Sequence, residues 1–194
     1  MPERERLYRG LSRAAWGCLF LYLDINLGTV SILPRFVGWL LFLSAIRELK
    51  EERRDLALLR PLGILLAAWS ALDWGASWLG RDIDGLFPPL DLLPAAAQLY
   101  FLFQFLTDLA ALAEARVPEP GGGELSRRML RWRTVQTVLV TAFSLAACLP
   151  EAGRIVKAAV VVLAVAYCVL GVCLTAAIFS LRRYFKEGNP AEPA

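Results

Sequence analysis

Histidine is missing from this chain of 194 residues. Histidine is the commonest zinc ligand, proton shuttle and base of nucleophilic triads. Its absence excludes these histidine-dependent mechanisms, which many enzymes use. Cysteine is scarce, and the four cysteines form no C-x-x-C pair, so we interpret them as small buried hydrophobic residues: Cys18, Cys148, Cys168 and Cys173. We therefore predict a protein that is not an enzyme, with no catalytic residues, no metal site and no cofactor.

Charge is absent from long stretches of the sequence, because Lys, Arg, Asp and Glu gather in blocks such as residues 47–54, and 57% of the residues are hydrophobic. A bilayer core of about 30 Å needs about 20 apolar residues of helix. The expected fold is an all-α polytopic transmembrane bundle, with residues 1–185 forming one transmembrane domain and 186–194 a polar tail. The uncharged stretches predict six helices, at about 11–32, 35–49, 61–79, 90–113, 134–149 and 155–181.

The basic residues indicate an orientation, since Lys and Arg beside spans stay on the cytoplasmic side. Of the 21 Lys and Arg residues, 17 flank one side of the six predicted spans and 4 the other. Both termini are therefore predicted to be cytoplasmic. The second predicted segment is the shortest. We keep it as a span because the basic residues before the first helix and those after the second would otherwise lie on opposite sides of the membrane.

Prolines suggest an internal repeat. Leu33–Pro34, Leu93–Pro94 and Leu149–Pro150 are each placed at a turn between an odd-numbered and an even-numbered helix. This spacing favours three tandem two-helix hairpins, although three independent helix starts would place proline in the same way. A further stretch rich in proline and glycine, 118–123, is predicted to be a flexible connector between the second and third hairpins.

Acidic residues within the apolar segments are the first candidates for function, because a charge at the bilayer centre costs about 2.5 to 3.5 kcal/mol on insertion scales. Asp24, Asp73 and Asp108, together with Asn26 and Gln104, form the predicted path for a ligand or ion. The alternative is that hydrogen-bonded acids fasten the helices together, or that Asp24 and Asn26 cap a helix broken near Gly28.

A basic stretch precedes the fifth predicted helix and is interleaved with apolar residues. It contains Arg127, Arg128, Arg131 and Arg133. We predict that these side chains contact anionic lipid headgroups, and since nucleic acid would need a larger basic face, no nucleic-acid partner is expected. Small residues spaced four apart, Ala67, Ala71 and Gly75, indicate close helix packing within the bundle, in a homo-oligomer or in a larger membrane complex.

The first predicted hairpin carries two recognisable strings, a D-x-N at Asp24–Asn26 and an I-L-P-x-F-x-G at Ile32–Gly38. These resemble strings in small multi-pass membrane proteins of Gram-positive bacteria. The resemblance covers about a fifth of the chain. It implies a bacterial cytoplasmic membrane, and it carries no activity.

Three functions follow from these features. The first is a small transporter or channel for an ion or a small cationic solute, which requires a continuous polar path. The second is a non-catalytic membrane scaffold or accessory subunit, for which a closed apolar core with a lateral groove is typical. The third, a membrane enzyme, requires acids clustered beside a lipid-sized cleft.

Overall fold

The described part of the chain forms six α-helices and two short paired β-strands. The computed structural model describes residues 2–22, 26–27, 30–31, 34–78, 88–118, 120–147 and 154–186. The helices are α1 Pro2–Tyr22, α2 Arg35–Leu49, α3 Asp55–Trp78, α4 Pro88–Arg116, α5 Gly121–Ala147 and α6 Arg154–Arg183. Between α1 and α2, strand β1 (Asn26–Leu27) pairs antiparallel with β2 (Val30–Ser31). The predicted helical bundle is confirmed.

The six helices pack as a closed ring, in which each contacts its neighbours in the chain and α6 contacts α1. Neighbouring helices run antiparallel: Gly10 of α1 lies against Leu49 at the end of α2, whereas Gly17 lies against Gly38 near its start. One end of the ring therefore holds the starts of α1, α3 and α5 and the ends of α2, α4 and α6. We call this the charged end, and the opposite end the far end.

Aromatic side chains fill the centre of the ring between α2 and α4. The ring of Phe42 lies 5.6 Å from that of Phe101 and 5.0 Å from that of Phe105, measured between centroids. Trp39 meets Phe101 edge-on at 5.1 Å. All four side chains are almost fully buried. Edge-to-face contacts of this kind add to the free energy of burial, so the centre of the bundle is a packed core.

The helices pack more closely at the charged end than at the far end. Buried residues occur along most of the described lengths of α1 and α2. By contrast, the last buried residue of α3 is Ala67, and the first among the described side chains of α4 is Phe101. Among the described side chains, α5 has no buried residue after Gln136, and α6 has none before Leu170. Helices α3 to α6 therefore diverge toward the far end.

Three helices are long and apolar enough to cross a membrane, judged over the residues that the structure describes: Asp55–Trp78, Leu92–Arg116 and Ala158–Arg183. A helix of 24 residues rises about 36 Å, which exceeds the hydrocarbon core of about 30 Å. Helix α2, with 15 residues, rises only about 22 Å. Its bounds, Arg35–Leu49, are those predicted from the sequence.

Helix α1 ends ten residues earlier than predicted, at Tyr22 instead of residue 32, and the hairpin follows it. The physical reason lies in the composition of 24–29. Asp24, Asn26 and Thr29 have side chains that compete for backbone hydrogen bonds, and Gly28 has the lowest helix propensity after proline. The prediction extended the helix to residue 32 because the segment is apolar on average, and that average does not reflect the low helix propensity of residues 24–29.

Prolines were wrongly predicted to mark helix starts. Helix α3 begins at Asp55, six residues before Pro61, and Pro94 likewise lies inside α4. Proline inside a helix removes one hydrogen bond and crowds the carbonyl four residues before it, and burial of apolar residues such as Leu56 and Leu59 favours the helix despite that cost. Leu93–Pro94 is thus not at a turn, unlike Pro34, which is the N-cap of α2. Leu149–Pro150 lies outside the described residues.

The connector predicted at 118–123 is shorter than expected, because α5 begins at Gly121. Helix α4 closes with a bond from Val117 N–H to the Ala113 carbonyl (3.0 Å), and Gly122 N–H donates to the Pro118 carbonyl (3.2 Å). A Cβ at Gly122 would lie 2.5 Å from the Val117 carbonyl oxygen. The glycines therefore allow a tight turn into the next helix, and their usual association with flexible linkers gave the wrong prediction.

Candidate functional site

A cavity of about 500 Å³ opens at the far end, where the helices diverge. Its walls come from the end of α1, the far-end halves of α4, α5 and α6, and the first residue of α2. Most lining residues are apolar, among them Leu99, Val140 and Phe143. A mostly apolar cavity of this size with a few convergent polar groups is the usual form of a small-molecule site.

Two tyrosines and one glutamine form the polar side of the cavity. The rings of Tyr22 and Tyr167 lie 4.7 Å apart between centroids, and the Gln98 Nε2 donates to the Tyr167 hydroxyl at 3.3 Å. These side chains come from α1, α4 and α6. The contact therefore brings three separate helices to one polar spot in an otherwise apolar wall.

Two further polar atoms on the lining residues are buried and have no hydrogen-bond partner in the structure: the Tyr22 hydroxyl and the Gln136 Oε1. Tyr22 is 3% exposed and Gln136 is 1% exposed. Leaving a buried polar group without a partner costs about 1 to 3 kcal/mol. A ligand that donates to Gln136 Oε1 or bonds to the Tyr22 hydroxyl would remove that cost.

Backbone proximity positions Tyr22. Helix α6 passes so close to the end of α1 that a Cβ at Gly171 would overlap the Cβ of Tyr22. Only glycine permits this approach. Because the approach holds Tyr22 against α6, its ring lies beside Tyr167, which is one helical turn before Gly171.

Arg35 is the one charged residue among the described residues that line the cavity. It is the first residue of α2, and its side chain is exposed. The arginine thus lies at the rim of the cavity, and the other described lining residues are uncharged.

The predicted pair Gln104 and Asp108 is brought together on α4. Gln104 Nε2 donates to Asp108 Oδ1 at 3.3 Å, and Asp108 is only 4% exposed. Its second oxygen, Oδ2, is buried and has no hydrogen-bond partner in the structure. Both residues belong to the charged-end half of α4, and neither is among the described lining residues of the cavity.

Of the other predicted path residues, Asp73 lies on a different helix and toward the opposite end of the bundle from this pair. Asp73 is half-buried in the far-end half of α3, whereas Asp108 lies toward the charged end. Asn26 is in strand β1, and Asp24 lies outside the described residues. No group of three or more His, Cys, Asp and Glu side chains suited to a metal ion occurs in the described part of the chain.

The basic stretch 127–133 divides into two parts on α5. Arg127, Arg128 and Arg131 line a shallow cavity of about 350 Å³ with Trp132 and Glu124. Arg133 instead faces α4, where its guanidinium lies 4.2 Å from the centroid of Phe103 and its Nη1 donates to the Thr107 hydroxyl at 2.8 Å. Lipid contact thus remains a prediction for the first three arginines, while Arg133 joins two helices.

Ion pairs connect the helices at the charged end. Arg116 at the end of α4 contacts Glu52 (2.5 Å) and Glu3 (2.7 Å). Arg13 contacts both the Ser44 hydroxyl (2.7 Å) and the Glu48 carboxylate (3.0 Å). Single exposed pairs stabilise by at most about 1 kcal/mol. Together they link α1, α2 and α4 at the end where the bundle is closely packed.

The polar groups of the cavity were missed by sequence reasoning, which searched the apolar segments for acids. Gln98 and Gln136 carry the same signal as those acids, since an amide within an apolar helix also needs a partner. Tyr22 and Tyr167 gave no such signal, because tyrosine is common near membrane interfaces. Only the packing of α1 against α6 brings these two rings together.

Comparisons with known proteins add no family to this description: no protein-family model matches the chain, and neither a curated protein nor a solved structure does. The case for a function therefore depends on the geometry of the chain itself.

Proposed function

We propose that the chain is a bacterial cytoplasmic-membrane protein with six spans and cytoplasmic termini, and that it binds and moves a small solute through the far-end cavity. Three helices with the length and apolarity of spans support a membrane location. The concentration of basic residues beside one set of helix ends supports the orientation.

The observation that carries the solute-binding proposal is the pair of buried polar atoms without partners, Tyr22 Oη and Gln136 Oε1, which belong to residues that line a 500 Å³ cavity. A packed core normally satisfies such atoms or replaces them with apolar groups. Sites that bind polar ligands keep them, because the ligand supplies the missing partner.

The test is to identify what the purified protein retains. Wild-type protein extracted in mild detergent and analysed by mass spectrometry should carry one compound, or one class of compounds, in excess over a mock purification. Gln136→Leu removes the unpartnered Oε1 while keeping nearly the same shape, so it should lose most of the retained material.

The matched control is Thr141→Val on the same helix. Thr141 is exposed, its hydroxyl donates to the Thr137 carbonyl at 2.8 Å, and it is not among the described lining residues. It should retain the compound as wild type does. Equal retention by Gln136→Leu and wild type, with both proteins folded, would contradict the proposed site.

A second candidate function is a cation path through Asp108. The observation in its favour is the buried Oδ2, which has no hydrogen-bond partner in the structure. Its test is cation flux into liposomes containing wild type, Asp24→Asn, Asp73→Asn or Asp108→Asn, over monovalent and divalent cations. Loss of flux in folded Asp108→Asn protein would support this path.

The remaining interpretation is a non-catalytic scaffold or accessory subunit. It predicts that all three Asp→Asn variants keep their cellular role and that no cation crosses the liposome membrane faster than in empty liposomes. That outcome, together with no retained compound, would direct the search to partner proteins captured from the membrane.

A further inference from the structure

Three arginines of α5 have no partners at the charged end. Arg127, Arg128 and Arg131 are exposed, and none of their side chains forms a hydrogen bond or an ion pair in the described part of the chain. This differs from the arginines that connect the helices, such as Arg13 and Arg116, whose guanidiniums contact carboxylates. The charge of the three α5 arginines therefore remains free to meet a ligand.

The three arginines line one concave surface. Together with Glu124 and Trp132 they surround the shallow cavity of about 350 Å³. All three lie within about one turn of helix, and side chains three or four positions apart are neighbours on a helix surface. Three positive charges and one negative charge leave the lining with an excess of two positive charges. A ligand that balances this excess carries two negative charges.

Contacts between helices fix the depth of this cavity in the bundle. Arg116 at the end of α4 contacts Glu3 near the start of α1. Thr107 lies nine residues back from Arg116 and Arg13 lies ten residues on from Glu3, so both are roughly 14 to 15 Å from that contact, toward the far end. Because Arg133 bonds to Thr107, Arg13 and Arg133 mark one level across the bundle.

In the membrane arrangement proposed above, this level is the boundary of the apolar core, because α1 and α5 contain no charged residue between it and their far-end limits. Arg131 and Arg127 are two and six residues from Arg133 toward the charged end, so they lie about 3 and 9 Å beyond the boundary. The headgroup layer on each side of a bilayer is about 5 to 8 Å thick. The three arginines therefore lie at the depth of lipid phosphates.

The charge of the cavity favours a phosphomonoester over a phosphodiester. Arginine binds phosphate oxygens through paired N–H donors. A phosphodiester has one negative charge and would leave part of the positive excess unbalanced, whereas a phosphomonoester carries about 1.5 to 2 negative charges at pH 7 and presents three oxygens. Since the arginines lie within one turn of helix, a single phosphate suits them better than two separate ones.

We infer that this cavity binds the headgroup of a phosphomonoester lipid, such as phosphatidate, on the cytoplasmic side of the membrane. The inference rests on the membrane location and orientation proposed above. It does not depend on the solute cavity, which lies at the far end.

The test compares lipids that carry the same acyl chains and differ in the head: phosphatidate, phosphatidylmethanol and phosphatidylcholine. Each is titrated into wild-type protein in mixed micelles, and native mass spectrometry counts the bound lipid. Phosphatidylmethanol is the methyl ester of phosphatidate and carries one negative charge fewer. Phosphatidate should bind about fivefold more tightly than phosphatidylmethanol, which is about the factor that one charge contributes near a membrane surface. Phosphatidylcholine should bind most weakly.

Two substitutions in the cavity should change phosphatidate binding in opposite directions. Arg128→Gln should weaken it about fivefold and reduce the preference over phosphatidylmethanol. Glu124→Gln removes the carboxylate of the lining and should strengthen it, an increase that loss of folding cannot produce. The control is Arg60→Gln, because Arg60 is an exposed arginine in the charged-end half of α3 that does not line the cavity. It should leave both the affinity and the preference unchanged.

Equal affinity for phosphatidate and phosphatidylmethanol would overturn the inference, as would an effect of Arg60→Gln as large as that of Arg128→Gln. Tighter binding of cardiolipin, which has two separate phosphodiesters, would also overturn it. Displacement of phosphatidate by glycerol 3-phosphate at the same concentration would replace the lipid with a soluble phosphate. The solute site is tested separately by Gln136→Leu and the membrane arrangement by the topology of the termini, so failure here is distinguishable from failure of either.

Discussion

At the scale of single residues, Gly171 determines how closely α6 approaches the end of α1. A Cβ at this position would overlap the Cβ of Tyr22, which is attached to the backbone and cannot move aside by rotation. We expect Gly171→Ala to separate the two helices and to lower the free energy of unfolding by about 1 to 3 kcal/mol, the usual cost of overpacking. Thermal unfolding of the purified protein in one detergent measures the effect.

The same substitution at Gly75 is the control. A Cβ there would meet no atom within 4 Å, and alanine is favoured over glycine in a helix by about 1 kcal/mol. Gly75→Ala should therefore leave the melting temperature unchanged or raise it. If Gly171→Ala melts at the same temperature as Gly75→Ala, the close contact between α1 and α6 is not as described.

The two parts of the basic stretch should respond differently to loss of charge. Arg131 lines an outward cavity, so Arg131→Gln should weaken binding of phosphatidylglycerol by about 1 kcal/mol, or about fivefold. Arg133 packs on Phe103 and bonds to Thr107, so Arg133→Gln should instead lower stability by about 1 kcal/mol. Native mass spectrometry in mixed micelles measures the first effect and thermal unfolding the second.

Phosphatidylcholine at the same concentration controls for loss of general lipid binding, which neither substitution should alter. A larger loss of phosphatidylglycerol in Arg133→Gln than in Arg131→Gln, with both proteins folded, would reverse the assignment of the two parts.

At the scale of helices, a second close crossing joins α1 and α2. A Cβ at Gly38 would lie 3.0 Å from the Gly17 carbonyl oxygen, and the reverse distance is the same. Gly38→Val should therefore push the helices apart and cost about 1 to 3 kcal/mol. Leu40→Val, at an exposed position of the same helix, controls for the branched side chain and should change stability by less than about 0.5 kcal/mol. Equal melting temperatures for both variants would contradict the crossing.

The first and last residues of a helix could be predicted only where a clear sequence feature ends the helix. The bounds of α2 were predictable because Pro34 precedes it and a charged block follows its last residue, Leu49. The end of α1 at Tyr22 was not, since apolar residues continue past it and local propensities end the helix. Apolar composition indicates which segments can lie within a membrane, but it does not indicate the residue at which a helix ends.

The site was predictable only in part, for a similar reason. Gln104 and Asp108 are four residues apart on one helix, so their contact follows from helical spacing alone. The contact between Tyr22 and Tyr167 joins residues of α1 and α6 and requires the ring to close. Helical spacing within one segment carries no information about that closure.

At the scale of the whole molecule, the bundle is asymmetric along its axis. Aromatic rings fill the centre of the bundle and ion pairs connect the charged end, whereas the far-end halves of α4 to α6 diverge around the cavity. A binding site needs polar groups that the protein itself leaves without hydrogen-bond partners. A closely packed half that supports a more open half is a physically consistent arrangement for a ligand-binding bundle.

The number of helices that cross the membrane determines how the closely packed charged end and the more open far end are arranged in it. Three helices have the length and composition of spans on their own: α3, α4 and α6. If only these three crossed, the odd number would leave the two termini on opposite sides. If all six cross, as we propose, the termini lie together. The three-span and six-span arrangements are therefore distinguished by whether the two termini lie on the same side of the membrane, and the positions of the loops need not be known.

We expect fluorescent-protein fusions at either terminus to be fluorescent in bacteria and alkaline phosphatase fusions at the same ends to be inactive, because both ends are cytoplasmic in the six-span arrangement. Phosphatase inserted in the segment between α3 and α4 should be active and supplies the positive control. An active phosphatase at the C-terminus only would mean an odd number of spans. Helices α1, α2 and α5 could then not all cross, and Arg131 could lie on the opposite side of the membrane from Arg182.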